Sequence, residues 1–175
     1  MARLVLTVIG DDRAGLVSAL ADVVSAHDGN WEQGQMAELA GKFAGIVVVT
    51  VPDARRDELT ASLRGLDGLL EVAAHHGADA SADAAAAEPA RRLTLHLLGN
   101  DRPGIVREVS SVLNGHDLSI ETISTGTREA PMAGGLLFEA HVVVDVPAST
   151  DLADLRADLE RLATELLVDL DLHED

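Results

Sequence analysis

Leu4–Val17 reads LVLTVIGDDRAGLV, and Leu93–Val106 reads LTLHLLGNDRPGIV. Extending the overlay to Leu4–Glu32 on Leu93–Glu121 gives eleven identities in 29 positions, among them Gly10, Asp12, Arg13, Gly15, His27, Asp28 and Glu32. Self-similarity at one fixed offset means two copies of one structural unit. Between the copies lies GADASADAAAAEPA, Gly77 to Ala90, with three acids, no base and no side chain larger than Glu. Such a stretch has little to bury and reads as a linker. The expected organisation is a first domain over 1–76, a linker over 77–90 and a second domain over 91–175.

Hydrophobic period separates the elements within each copy, alternation marking strands and three-to-four spacing marking helices. The order is strand, helix, strand, strand, helix, strand. In copy two the strands are expected near 93–98, 118–125, 136–146 and 166–172, with helices from about 103 to 116 and after Ser149 or Thr150. In copy one they are expected near 3–9, 30–38, 43–51 and 69–75, with helices near 14–27 and 53–66. The fold class is α+β: two ferredoxin-like βαββαβ units, each an antiparallel four-stranded sheet with two helices on one face.

The 175 residues are 47% hydrophobic and 25% charged, an ordinary globular composition. Thirteen basic residues against thirty acidic ones give a formal net charge of −17, which works against phosphate backbones. Two Phe, one Trp and no Tyr leave little surface for stacking bases, so no direct nucleic-acid binding is expected. The absence of cysteine removes disulfides, thiolate nucleophiles and Cys-based zinc sites. The apolar run in Met1–Gly10 is too short for a signal peptide or a membrane span, and the chain is read as cytoplasmic without membrane contact. No phosphate-binding loop, dinucleotide fingerprint, HExxH or nucleophile elbow is present, so no catalytic residue and no cofactor are assigned.

Both copies carry one polar cluster where the first strand ends: Gly10-Asp11-Asp12-Arg13-Ala14-Gly15 and Gly99-Asn100-Asp101-Arg102-Pro103-Gly104. A helix N-terminus offers unpaired N–H groups to a carboxylate. Gly15 and Gly104 leave the backbone of Leu16 and Ile105 approachable, and nearby Asp or Asn side chains accept from an ammonium group. An amino acid carries both charges. The same pattern also reads as two tight turns in which Asp12 and Asp101 cap helices and Arg13 and Arg102 are solvated.

These turns, with HDGNWE (27–32) and HDLSIE (116–121) leading into the second strands, resemble the ACT domain, a regulatory amino-acid-binding module. Two such units without an attached enzyme, the second with the longer hairpin REAPMAGGLLFEAHVVVDVP (128–147), resemble the glycine cleavage system transcriptional repressor family. The resemblance implies a non-enzymatic regulator acting through a protein partner, such as a transcription regulator. It also implies a small amino acid, glycine or serine first, at Asp12, Gly15, Leu16 and Asn30 and at Asp101, Gly104, Ile105 and Ser119. Copy one departs from the family pattern at Ala14, where Pro is usual, and at Trp31. The alternatives are an assembly module without ligand and the detached regulatory subunit of an amino-acid biosynthetic enzyme.

The expected outer sheet faces differ. Copy one presents Val5, Thr7, Ile9, Ala44, Ile46, Val48 and Thr50, an apolar face of the kind a soluble protein covers, here by the other repeat or by a second subunit in a homodimer. Copy two presents His96, Glu139, His141 and Asp169 among others; these are metal-ligating residue types, but the pattern reads first as a solvated polar face and no metal is assigned.

Overall fold

A computed structural model of the chain describes residues 1–77, 90–130 and 134–174. It divides into two units, Met1–Ala86 and Ala87–Asp175. Most of the expected linker falls on 78–89, outside the described residues.

In the first unit the elements are β1 (Ala2–Asp11), α1 (Leu16–Ala26), β2 (Asn30–Leu39), β3 (Lys42–Val51), α2 (Arg56–Leu63) and β4 (Glu71–His76), with 3-10 turns at Asp53–Arg55 and Arg64–Leu66 flanking α2. The second unit repeats the order as β5 (Ala90–Asn100), α3 (Ile105–Gly115), β6 (Ser119–Glu129), β7 (Leu136–Pro147), α4 (Leu152–Leu166) and β8 (Val168–Glu174). The sheets run β2-β3-β1-β4 and β6-β7-β5-β8, antiparallel throughout. This is the ferredoxin-like arrangement expected for both copies.

Alternation decides which strand face meets the helices. Leu4, Leu6 and Val8 of β1 and Val47, Val49 and Val51 of β3 are buried with Leu16, Leu20 and Val24 of α1 and Leu59 and Leu63 of α2. The second core repeats this with Leu93, Leu95 and Leu97, the β7 residues Phe138 to Val146 at every second position, and Leu155 and Leu159 of α4. Among the described residues neither core holds a buried polar or charged side chain. Each Leu fully withdrawn from water contributes about 1.5–3 kcal/mol, so these layers dominate the stability of each unit.

Two repeated devices explain identities that hydrophobic period leaves silent. Asp28 and Asp117 both take a left-handed φ of 56° at the ends of α1 and α3. The N–H of Gly29 donates to Val24 and that of Asp28 to Ser25, while Leu118 and Asp117 donate to Leu113 and Asn114. This is a Schellman stop in each copy, made with Asp where Gly is commoner. Secondly, the β2–β3 ladder shifts register between Trp31 and Gln33, and β6–β7 shifts between Ile120 and Thr122. Glu32 and Glu121 occupy these bulges, and each meets the equivalent arginine of its first strand: Arg3 Nε lies 3.3 Å from Glu32, and Arg92 Nη2 lies 3.1 Å from Glu121.

Several boundaries move. The helices α1 and α3 start at Leu16 and Ile105, later than expected. The cap of α4 is Asp151, whose carboxylate accepts from the N–H groups of Ala153 and Asp154; Thr150 instead closes a turn by donating to Pro147. The last strand begins at Val168, after Leu167 has taken a left-handed φ of 54°. The hairpin β6–β7 extends to the pair Glu129–Leu136.

Candidate functional site

The two strand-to-helix turns have nearly the same backbone. Gly15 (φ 91°, ψ 0°) and Gly104 (φ 101°, ψ −10°) are the N-cap residues of α1 and α3, both left-handed and neither with a side-chain cap. Asp12 and Asp101 are therefore not the caps. Their own N–H groups continue the ladder to the neighbouring hairpin, Asp12 donating to the carbonyl of Gly41 at 2.9 Å and Asp101 to that of Leu136 at 2.8 Å. The left-handed glycine then turns the chain into the helix with its first-turn N–H groups uncapped by any side chain, which suits a carboxylate.

Around this shared frame the copies differ. A Cβ on Gly15 would meet nothing within 4 Å, so the space beside the first turn's glycine is unobstructed. Arg13 reaches away from the helix and donates to the carbonyl of Gly68 at 2.8 Å. Beside it, a cleft of 160 Å³ is lined by Asp11, Lys42 and the backbone of Gly68–Glu71. Lys42 pairs with Asp11, and this hydrogen bond together with the ammonium charge holds the Asp11 carboxyl below its usual range and raises the Lys42 ammonium above its own. In the second turn Glu108 Oε1 lies 3.3 Å from where a Cβ on Gly104 would stand, and its other oxygen pairs with Arg102 Nη2 at 3.2 Å. A carboxylate of the protein already faces that helix end.

Of the expected ligand residues, Asp12, Gly15, Asn30, Asp101 and Ser119 are exposed, and Gly104 is half-buried. Leu16 and Ile105 are buried at 2% exposure, their side chains in the cores, so only their backbone faces the turn. Within one unit the set does not come together. Asn30 pairs with Thr50, which pairs with Arg3 at the start of β1, whereas Asp12 follows the end of that strand. Nine residues of extended chain put about 30 Å between these levels. Ser119 stands likewise at the level of Arg92, nine residues before Asp101. The family resemblance groups these residues; antiparallel register places them at opposite ends of each sheet.

The outer face of the first sheet is apolar as expected, with Ile9 47% and Ile46 54% exposed around an open concavity of 650 Å³ that Thr7, Ala44 and Ala73 also line. The second sheet's outer face carries His96, Glu139 and His141. Among the described residues no helix is long and apolar enough to cross a membrane.

Residues 2–78 and, separately, 94–164 match the ACT-domain family. The chain belongs to the ACT-domain family. It carries two ACT domains in tandem, and this arrangement recurs in solved structures. A protein of unknown function from Galdieria sulphuraria superimposes with a TM-score of 0.86 at 29% identity, over 99% of this chain and 98% of that one. A provisionally assigned glycine cleavage system transcriptional repressor superimposes with a TM-score of 0.73 at 15% identity, over 99% and 97% of the two chains, a likeness of fold. A UPF0237 protein of Methanopyrus kandleri is 39% identical over 87 residues, covering 48% of this chain and 89% of its own length, the size of one ACT domain.

Proposed function

We propose that this tandem ACT protein is a non-enzymatic, cytoplasmic regulator that binds a small amino acid, glycine or serine first, and reports its occupancy to a protein partner. The observation that carries this reading is the pair of left-handed glycines at the N-termini of α1 and α3, with no side chain capping the first turn. The ligand carboxylate would sit on those N–H groups at Leu16 or Ile105, and its ammonium group on Asp12 or Asp101.

The remaining residues, Asn30 and Ser119, lie at the far ends of their own sheets, so a site that uses them together with a turn draws the second-strand start from the matching unit of a second subunit. A ligand held this way makes contacts in the assembled homodimer that it lacks in the separate subunit, which is the requirement for coupling. A coupling of about 1–3 kcal/mol changes partner affinity roughly 5–150-fold. The first turn is the better candidate of the two, because the Glu108 carboxylate stands beside the second. A homodimer would bring matching units together and cover the apolar outer face of the first sheet.

The finer reading, control of glycine cleavage genes, comes from the name carried by one structural neighbour. A net charge of −17 favours action through a protein partner over direct contact with DNA. The test is amino-acid binding by calorimetry in Gly15→Val and in Asp12→Ala, with far-UV circular dichroism as the check on folding. The reading expects both folded variants to lose glycine or serine binding. Wild-type affinity in both would refute it.

A further inference from the structure

The outer face of the second sheet, away from the turns and the helices, brings together three side chains with metal-ligating atoms. His96 of β5 stands directly opposite His141 of β7, and Glu139 lies two residues before His141 on the same face. Their imidazoles stack with centroids 4.3 Å apart and planes inclined by 21°. One carboxylate oxygen, Glu139 Oε1, is 3.0 Å from His96 Nε2 and 3.7 Å from His141 Nε2. The three ligand atoms lie within 4.8 Å of one another.

We propose that His96 Nε2, His141 Nε2 and Glu139 form a divalent transition-metal site, with Zn²⁺ as the ion their chemistry fits best. Ligands held about 2.0–2.1 Å from a tetrahedral ion are separated from each other by about 3.3 Å. The two Glu139–His distances, 3.0 and 3.7 Å, bracket that edge and all three ligand atoms lie within 4.8 Å, so side-chain rotation is what an ion would ask of them. Two imidazoles and one carboxylate are a nitrogen-rich, borderline set that selects Zn²⁺ and its neighbours over Ca²⁺ or Mg²⁺, which take oxygen. The side chains are 28%, 56% and 36% exposed for His96, His141 and Glu139, leaving the fourth position to solvent.

The second oxygen of Glu139 supports the same assignment. Arg128 Nε lies 3.8 Å from Oε2, while Oε1 is the atom that faces both rings. The arginine orients the carboxylate from outside and leaves the ligating oxygen to the imidazoles, the arrangement expected of an outer-shell partner.

The first unit supplies an internal comparison. Register equates His96–His141 with Thr7–Ile46 and Glu139 with Ala44, so none of the three ligand types is present on its outer face at these places. Two sheets built to one plan have diverged together at all three positions.

The untagged, chelator-treated chain is titrated with Zn²⁺ by calorimetry near neutral pH, with Co²⁺ as an absorption probe. The proposal expects one ion per chain, a raised melting temperature and a Co²⁺ visible spectrum of low coordination number. His96→Ala and His141→Ala should each weaken binding by about tenfold or more, by loss of a direct ligand. Glu139→Gln should weaken it as well, whereas His75→Ala and His76→Ala should leave it unchanged. Each variant must keep the metal-free circular dichroism spectrum. Absence of a saturable Zn²⁺ site, or one that survives combined replacement of His96 and His141 in a folded protein, overturns the proposal.

Discussion

A methyl group on Gly10 would stand 2.5 Å from the carbonyl oxygen of Leu69, where the end of β1 passes the segment leading into β4. Its counterpart Gly99 meets Val168, a Cβ there lying nearest the Val168 Cγ1 and 2.9 Å from its Cα. At both positions a backbone atom lies under 3.0 Å, and backbone cannot swing aside as a side chain can. Gly10→Ala and Gly99→Ala should each destabilise their unit by about 1–3 kcal/mol, the usual cost of overpacking. Urea midpoints of the two variants check this, and Gly65→Ala, with nothing within 4 Å, serves as the comparison.

The cap of α4 gives a second prediction. Asp151→Ala removes the carboxylate that accepts from Ala153 at 2.8 Å and Asp154 at 3.4 Å, and should cost about 1 kcal/mol. Ser149→Ala should stay within about 0.5 kcal/mol of wild type, because this serine does not cap the helix. Equal losses in the two variants would place the cap elsewhere.

Asp11 and Lys42 yield a pH prediction. The hydrogen bond and charge of Lys42 lower the Asp11 carboxyl from 3.8, and Asp11 raises Lys42 from 10.5. Stability linked to Asp11 is fully present above the unfolded carboxylate value and is lost as pH falls through the lower folded one. Stability linked to Lys42 is fully present below its unfolded value and is lost as pH rises through the higher folded one. Both groups are exposed, so the contribution is small and screened by salt. In an NMR titration the Asp11 carboxyl should move back toward 3.8 in Lys42→Met. An unchanged midpoint would contradict the pairing.

Glu108 should separate the two binding turns. Its carboxylate stands at the N-terminus of α3 beside Gly104, where a ligand carboxylate would have to go. Glu108→Ala should therefore raise amino-acid affinity or add a second class of sites, by about fivefold or more for removal of a like charge close to the ligand. Calorimetric stoichiometry before and after the substitution reads the effect. Weaker binding in the variant would show Glu108 to be part of the site.

The repeat, the element order and the inward faces were legible because alternation in Leu93–Leu97 and Phe138–Val146 is strict and both faces of each strand differ in polarity. Strand ends were not. Thr125–Glu129 are exposed and polar on both faces, so nothing in their pattern reveals the ladder that pairs Thr127 with Phe138. Asp12 and Asp101 do not cap because the ladder to the neighbouring strand runs on through their N–H groups to Gly41 and Leu136, and the helix starts three residues later at a left-handed glycine. Of the candidate ligand residues, the turn glycines and their neighbouring Asp side chains were legible in the sequence, whereas Asn30 and Ser119 came from the family resemblance. Their separation within each unit follows from strand register, as does the meeting of His96 with His141.

The central claim is that the folded chain binds a small amino acid at a bare helix start. The direct measurement is the melting temperature of the purified protein against each of the twenty amino acids, because a ligand that prefers the folded state must raise it. At a hundredfold excess over the dissociation constant the gain is about 2.7 kcal/mol, several degrees for a chain of this size. The account predicts a selective rise with glycine or serine that disappears in Gly15→Val. A flat panel across all twenty at millimolar concentration would contradict it, and would leave a tandem ACT protein that works by assembly alone.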